Sequence, residues 1–451
     1  MQADLPVRWE GGAESVPIVP IVPQVDLAAW WRALGDPALD DLVARALQGN
    51  LSLAAAGEHL RAARALSIPA AGASLPNLRF ATTATPTPDS RGSYFQAGFD
   101  AQWELGLFGR SAAAVGIAAA DAGLAQVNLR AARVSVAAEV VRTWLEWRDA
   151  ERRLALSDQA VALQRQNLEL LQARVRLRLA AAHELAGARA ALAQAEAARL
   201  EPQNAVQRYR QQLKVLLGDR NAALPEGPRA DIATSAELHI EQMPADLLRT
   251  RPEIQRAEQL VLRAASAAGE ARANLYPRLA LGGMLSAAWP MHGAGGDSSM
   301  HSTLVLGPTF DIPLFDWGSR RAVVDVRDAE LAAAVLEYRQ SVLEGLAEVQ
   351  SALAGLTLQR ERLAAAQRAL AALMEQENAA LTRRRLGLAD QLEIGAARLA
   401  RLQAELALSQ AQLTHQLSFV ALCKALGGAD PDGANTQQPA QQPAVPPGAA
   451  P

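Results

Sequence analysis

Residues 93–110, SYFQAGFDAQWELGLFGR, decide how the rest of the chain is read. The odd positions are apolar: Phe95, Ala97, Phe99, Ala101, Trp103, Leu105 and Leu107. The even positions are polar or glycine: Tyr94, Gln96, Gly98, Asp100, Gln102, Glu104 and Gly106. Side chains alternate across a strand, so this pattern predicts one apolar face and one wet face. Its length exceeds that of an ordinary globular strand and suits a strand that crosses a bilayer within a barrel. Beyond Gly109 the composition changes to Ala, Leu, Arg and Gln, with no proline before Pro202. A membrane-length strand feeds a very long helix.

The stretch occurs twice. Trp103-Glu104-Leu105-Gly106-Leu107-Phe108 returns as Phe310-Asp311-Ile312-Pro313-Leu314-Phe315, an offset of 207. Arg178-Leu179 and Leu185 return at the same offset as Arg385-Leu386 and Leu392. A repeat of this size makes the molecule one body of two similar halves.

Composition narrows the function classes. The chain has 451 residues, 50% hydrophobic but only 4% aromatic, which suits long, closely packed helices of Ala, Leu and Val. A net charge of −3 offers nothing to a nucleic acid. The single cysteine, Cys423, excludes an internal disulfide and reads as a packing residue. No run of eighteen apolar residues predicts a transmembrane helix, and Met1-Gln2-Ala3-Asp4 does not open a signal peptide. The six histidines show no ligand spacing, and no nucleophile–base pair or phosphate loop is present, so an enzyme is not expected.

Read in order, residues 1–35 form an extended arm, followed by a first repeat at 36–217, a connector at 218–243, a second repeat at 244–428 and a disordered Pro/Gln/Ala tail at 429–451. The first repeat opens on a helix from Ala38, capped by Asp36, that is expected to stop near Leu66, before Pro69. Strands follow at about 78–88 and 93–107, then a long helical hairpin at 110–217. The second repeat carries strands at about 279–289 and 303–314 and a hairpin at 318–427. Val140, Trp147, Leu154, Val161, Leu168 and Val175 fall seven apart, as do Val335, Val342, Val349, Leu356, Leu363 and Leu370. A sustained period of seven is a coiled-coil seam. Return columns run through Leu185, Leu192, Val206 and Leu213, and through Leu392, Leu399, Leu406, Leu413 and Val420. Pro202 is expected to kink or split the first return helix.

Four amphipathic strands cannot close a barrel, and an open edge in lipid leaves backbone groups unpaired. Several chains must therefore pool their strands. The polar face, with Asp100, Gln102, Glu104 and Asp311, would line a wet lumen. The alternative for Glu104 is a strand-end ion pair. The seams stop at 179–184 and 386–390, where each hairpin must reverse. Gly387 supplies the freedom for the second reversal, and Ala180 is read as its counterpart in the first.

Five ordered motifs carry a family resemblance: Trp30-Trp31 with Leu34-Gly35-Asp36-Pro37; Trp103-Glu104-Leu105 with Leu107-Phe108-Gly109-Arg110; Pro244-Ala245-Asp246 through Arg251-Pro252-Glu253-Ile254; Pro313-Leu314-Phe315-Asp316 with Gly318; and Lys424-Ala425-Leu426-Gly427-Gly428. From Trp30 to Gly428 the chain resembles the TolC- and OprM-like outer-membrane factors of tripartite RND efflux systems, in their NodT-type lipoprotein branch. The resemblance implies a mainly α fold: a trimeric α-helical barrel continuing from a twelve-stranded membrane β-barrel, four strands per chain. It implies a passive exit duct for small molecules and drugs, placed in the outer membrane and extending into the periplasm. The implied partners are two further copies, a periplasmic adaptor (membrane fusion protein), an RND-type inner-membrane transporter and outer-membrane lipid, with no nucleic acid.

No cofactor is expected. That branch commonly begins with a lipid-bearing cysteine, where this sequence has Met1-Gln2. By the same resemblance, Leu179, Ala180, Leu386, Gly387 and Leu388 are candidates for adaptor docking at the periplasmic tip. Glu184, Asp390, Leu392 and Glu393 are candidates for the aperture gate; Asp390 and Glu393 would form a negative ring or simply favour the helix dipole. An outer-membrane component for type I protein secretion would share this architecture. A soluble coiled-coil scaffold would explain the heptads but not the amphipathic strands.

Overall fold

The structure, a computed structural model of the chain, describes residues 27–85, 94–225, 251–290 and 300–428. The arm up to residue 26, the segments 86–93 and 291–299 with His292, the connector from 226 with His239 and the 244–250 motif, and the tail from 429 lie outside the described residues. After a short 3-10 segment at Leu27–Leu34 come α1 (Pro37–Gly49), α2 (Leu51–Gly72), β1 (Asn77–Thr85) and β2 (Tyr94–Leu105). The first hairpin is α3 (Arg110–Arg176) and α4 (Ala182–Leu216). The second half runs α5 (Pro252–Ala273), β3 (Arg278–Pro290), β4 (His301–Asp311), α6 (Ser319–Arg385) and α7 (Gln391–Ala425).

These residues form two compact units, and neither follows the repeat boundary. One takes the described residues up to Ala55, those from Arg130 to Pro252 and those from Leu343 on. The other takes Ala56 to Leu129 and Glu253 to Val342. Each unit is thus built from both repeats.

In the first unit the seam residues are the core. Val140, Val349 and Leu213 have almost no exposed surface, and the other column members there are buried or half-buried. Trp30, Trp31, Trp144, Trp147, Phe419 and Cys423 join one apolar cluster with α1. Asp36 caps α1 by accepting from the Ala38 amide at 3.0 Å, and its other oxygen accepts from the Trp144 indole at 3.0 Å. Arg251 is buried, donating to the Gly345 carbonyl at 2.9 Å and pairing with Glu348. That burial gives the Arg251-Pro252-Glu253 motif a structural role at the start of α5.

The second unit holds a single antiparallel sheet in the order β1-β2-β3-β4. Its register puts Phe80 opposite Phe99, Phe99 opposite Leu285 and Leu285 opposite Leu304. Directly opposed residues share a face, so the apolar columns of all four strands coincide. Phe80 and Phe99 pack at 5.2 Å between ring centroids, Phe95 and Trp289 at 5.9 Å. An added Cβ at Gly116 or Gly123 on α3 would press on the Ser266 or Gln259 side chain of α5, so those helices pack against each other.

Several expectations need correction. The first helix does not stop at Leu66: it breaks at Asn50, whose side chain accepts from the Ser52 and Leu53 amides at 3.0 and 3.1 Å, and α2 then runs through Pro69 to Gly72. α4 likewise runs unbroken through Pro202, whose ring is buried beside Ala205 and Val206. Packing there offsets the one lost backbone hydrogen bond. β2 stops at Leu105 and β4 at Asp311, so Leu107 and Leu314 belong to the turns that follow. The Leu107–Arg176 helical stretch does contain one window apolar enough to span a membrane by length and composition. The run from Ala112 to Ala125 is dominated by alanine and carries both close-approach glycines, which marks a helix-packing surface.

The repeat offset also changes along the chain. α3 and α6 each have 67 residues and α4 and α7 each have 35, and both pairs start 209 apart rather than 207. Two extra residues in the second strand-to-helix turn account for the difference. At the 209 offset Val140 matches Val349, and Phe108 and Gly109 match Trp317 and Gly318, all four of which take positive φ.

Candidate functional site

The polar sheet face carries the four expected lumen residues, and the register adds counter-charges that alternation alone does not show. Arg79 lies opposite Asp100 and its guanidinium donates to Asp100 Oδ2 at 3.0 Å. Glu104 pairs with Arg110 at 3.5 Å, which is the strand-end ion pair weighed above. Gln102 lies opposite Asn77, and Asp311 opposite Arg278. Every carboxylate predicted for this face therefore has an arginine beside or opposite it. The other face holds Leu78, Phe80, Phe99, Leu304, Leu306 and Phe310, all exposed. A sheet with one apolar face open to its surroundings and one charge-matched face is what a lipid-facing wall with a wet lining requires.

The hairpin turns belong to the first unit. In the first, Leu177, Arg178 and Leu179 donate their amides to Ala173, Val175 and Arg174. In the second, Leu386, Gly387 and Leu388 donate to Thr382, Arg384 and Arg383 in the same pattern. The residue matching Gly387 (φ 70) is therefore Arg178 (φ 59), not Ala180. This corrects the pairing, and it adds Leu177 and Arg178 to a tip that sequence reading began at Leu179. The helix offset of 209 would have found them; the strand offset of 207 hid them. Leu177, Leu179, Leu386 and Leu388 are each about 65–71% exposed, enough to leave the turns without an apolar core of their own.

Two of the gate candidates, Glu184 and Asp390, cap the return helices. Asp390 is the N-cap of α7, accepting from the Glu393 amide at 2.9 Å. That hydrogen bond, with Arg174 at 3.0 Å, holds the Asp390 carboxyl below the usual carboxylate range and keeps it ionised. Glu393 pairs with Arg383, which also donates to the Leu388 carbonyl at 3.2 Å. Glu184 accepts from the Ala181 amide at 2.9 Å, closing the first return helix. Leu392 is half-buried. Asp390 and Glu393 thus face arginines of their own chain, so the expected negative ring is counter-charged. Among the described residues, no group of His, Cys, Asp and Glu is placed to hold a metal ion.

The sequence profile described as "outer membrane efflux protein" matches residues 42–219 and again 243–428. The chain belongs to the outer membrane efflux protein family. The two matched segments fall on the two repeats. The outer membrane protein OprJ of Pseudomonas aeruginosa is 30% identical over 91% of this chain and 88% of its own length. The toluene efflux pump outer membrane protein TtgC of Pseudomonas putida is 26% identical over 95% of this chain and 90% of its own. Among solved structures, the outer-membrane channel OprN matches with a TM-score of 0.78 at 30% identity, over 89% of this chain and 92% of that one. The open-state MtrE outer membrane channel of Neisseria gonorrhoeae, at 23% identity and a TM-score of 0.79 over 95% of this chain and 96% of that one, shares the fold. The chain is an outer-membrane efflux channel that extends into the periplasm, with the helical-barrel and β-barrel architecture of its family.

Proposed function

We propose that three copies pool their four-stranded sheets into one closed barrel, and that the chain serves as the passive exit duct for small molecules handed on by an inner-membrane transporter. A periplasmic adaptor would link the two, meeting the hairpin turns at Leu177, Leu179, Leu386 and Leu388. The observation that carries this reading is the sheet: among the described residues, β1 and β4 pair with no further strand and no layer covers the apolar face. Such a sheet is stable in lipid only when its edges are closed by others. Relatives named for toluene and antibiotic efflux support small organic cargo.

The test is complementation. Cells lacking their own outer-membrane efflux channel, supplied with this chain, an adaptor and an RND-type transporter, should stop accumulating a fluorescent efflux dye. Unchanged accumulation, with secretion of a type I protein substrate restored instead, would move the chain to protein export.

A further inference from the structure

The duplication gives each contact between long helices a matching pair of positions, because an offset of 209 carries α3 onto α6 and α4 onto α7. Within the first unit α3 packs on α7. Asp149 and Ser409 meet there, 8% and 3% exposed, with the Ser409 hydroxyl donating to the Asp149 carboxylate at 2.5 Å. Beside them Leu156 and Leu163 of α3 share a buried cluster with Leu402 of α7. The matching positions on α6 and α4 carry different chemistry. Asp149 is matched by Leu358 and Ser409 by Leu200, which are 47% and 62% exposed. Leu156, Leu163 and Leu402 are matched by Ala365, Ala372 and Ala193, all exposed. The polar contact is thus buried and satisfied, while both halves of the apolar one lie open. A helical seam does not need a buried carboxylate, and such a group costs stability unless its partner is present. What a polar pair in an apolar seam supplies is choice of partner helix.

We infer that these two pairs sort the hairpins when copies assemble: α3 takes α7 of its own chain, and α6 takes α4 of a second copy, with Leu358 against Leu200 of the partner subunit. The sorting is needed because the two hairpins have equal helix lengths, 67 and 35 residues, which cannot tell them apart. Pairing first hairpins with first hairpins would set Asp149 against Leu200. Pairing second with second would set Ser409 against Leu358. Either arrangement buries a polar group without its partner, which selects against it. The occupant of the open α4 and α6 faces is a second copy because the chain already makes the matching contact between α3 and α7. The inference rests on the pooled-barrel reading, and it adds what keeps first and second hairpins alternating around the barrel.

The experiment uses the full chain in outer membranes and in detergent. Leu200→Cys combined with Leu358→Cys should give reducible covalent dimers and trimers under a mild oxidant, and neither single variant should. The native Cys423 is fully buried and leaves the background clean. No bond between copies, or a bond within one chain, overturns the inference. The second test exchanges the pairs. Asp149→Leu with Leu358→Asp, on the long helices alone, should lower the yield of assembled oligomer at least about tenfold. Adding Ser409→Leu and Leu200→Ser exchanges the short helices as well and should restore it. Normal assembly of the first variant, or no recovery in the second, overturns the sorting. The barrel reading fails separately. A native oligomer of three chain masses without the bond between positions 200 and 358 keeps the barrel and removes the inference. That bond in an oligomer of another size keeps the pairing and removes the three-chain barrel.

Discussion

Asp149 shows how a single residue couples the packed helices to pH. It lies on α3 in the first unit, 8% exposed, and accepts from the Ser409 hydroxyl of α7 at 2.5 Å. Burial pushes its carboxyl above the usual range, against the pull of Ser409, Arg153 and Arg152 and with a smaller push from Glu201 on α4. The sign follows from linkage: below the unfolded-state pKa the group is neutral in both states and costs nothing. As pH rises toward the raised folded value, the unfolded chain ionises first and the folded state loses stability. Asp149→Asn keeps the shape and removes that loss. Its melting temperature in detergent should match the native protein near pH 4 and exceed it near pH 7.5. An equal difference at both pH values would place the effect in packing rather than charge.

At the scale of elements, the sheet's two faces should respond oppositely to the same kind of change. Phe99 and Phe310 lie on the exposed apolar face. Phe99→Arg or Phe310→Arg should cost about 2–4 kcal/mol in denaturant unfolding from bilayers if the site lies near the midplane. Gln102→Ser, opposite Asn77 on the polar face, should change stability by less than about 0.5 kcal/mol. Equal losses at both faces would mean that the apolar face meets protein. The alternation that predicts these faces is legible in residues 93–110 because a strand's period is local. The partners are not. Arg79 meets Asp100 only through the antiparallel register, and that depends on how the chain turns between β1 and β2.

For the whole molecule, the decisive quantity is the number of chains that close the sheet. The barrel proposed above takes three copies of β1-β2-β3-β4, with each β1 edge meeting a neighbour's β4. Light scattering with detergent correction should give about three times the 47.8 kDa chain mass. A monomer that keeps full helicity without detergent would exclude the barrel. The charge-matched polar face predicts weak ion selectivity in planar bilayers. Strong cation preference would show that Asp100, Glu104 and Asp311 outweigh Arg79, Arg110 and Arg278.

The alternation of the strands, the seven-residue columns and the duplication are periodic, and a period can be read wherever it occurs. They were sufficient for the long hairpins and the four strands, while the family rested on the five ordered motifs. The column residues Val140, Val349 and Leu213 were legible as core for the same reason, and Cys423 from the apolar run around it. Tertiary structure decided what depends on distant partners: a helix continuing through Pro202, and Arg174 placed against Asp390. Local propensity is worth about 1–3 kcal/mol at a proline, and packing along a long buried face can exceed it. An ion pair between residues 216 positions apart leaves no local trace, because only the folded hairpins bring residues 174 and 390 together.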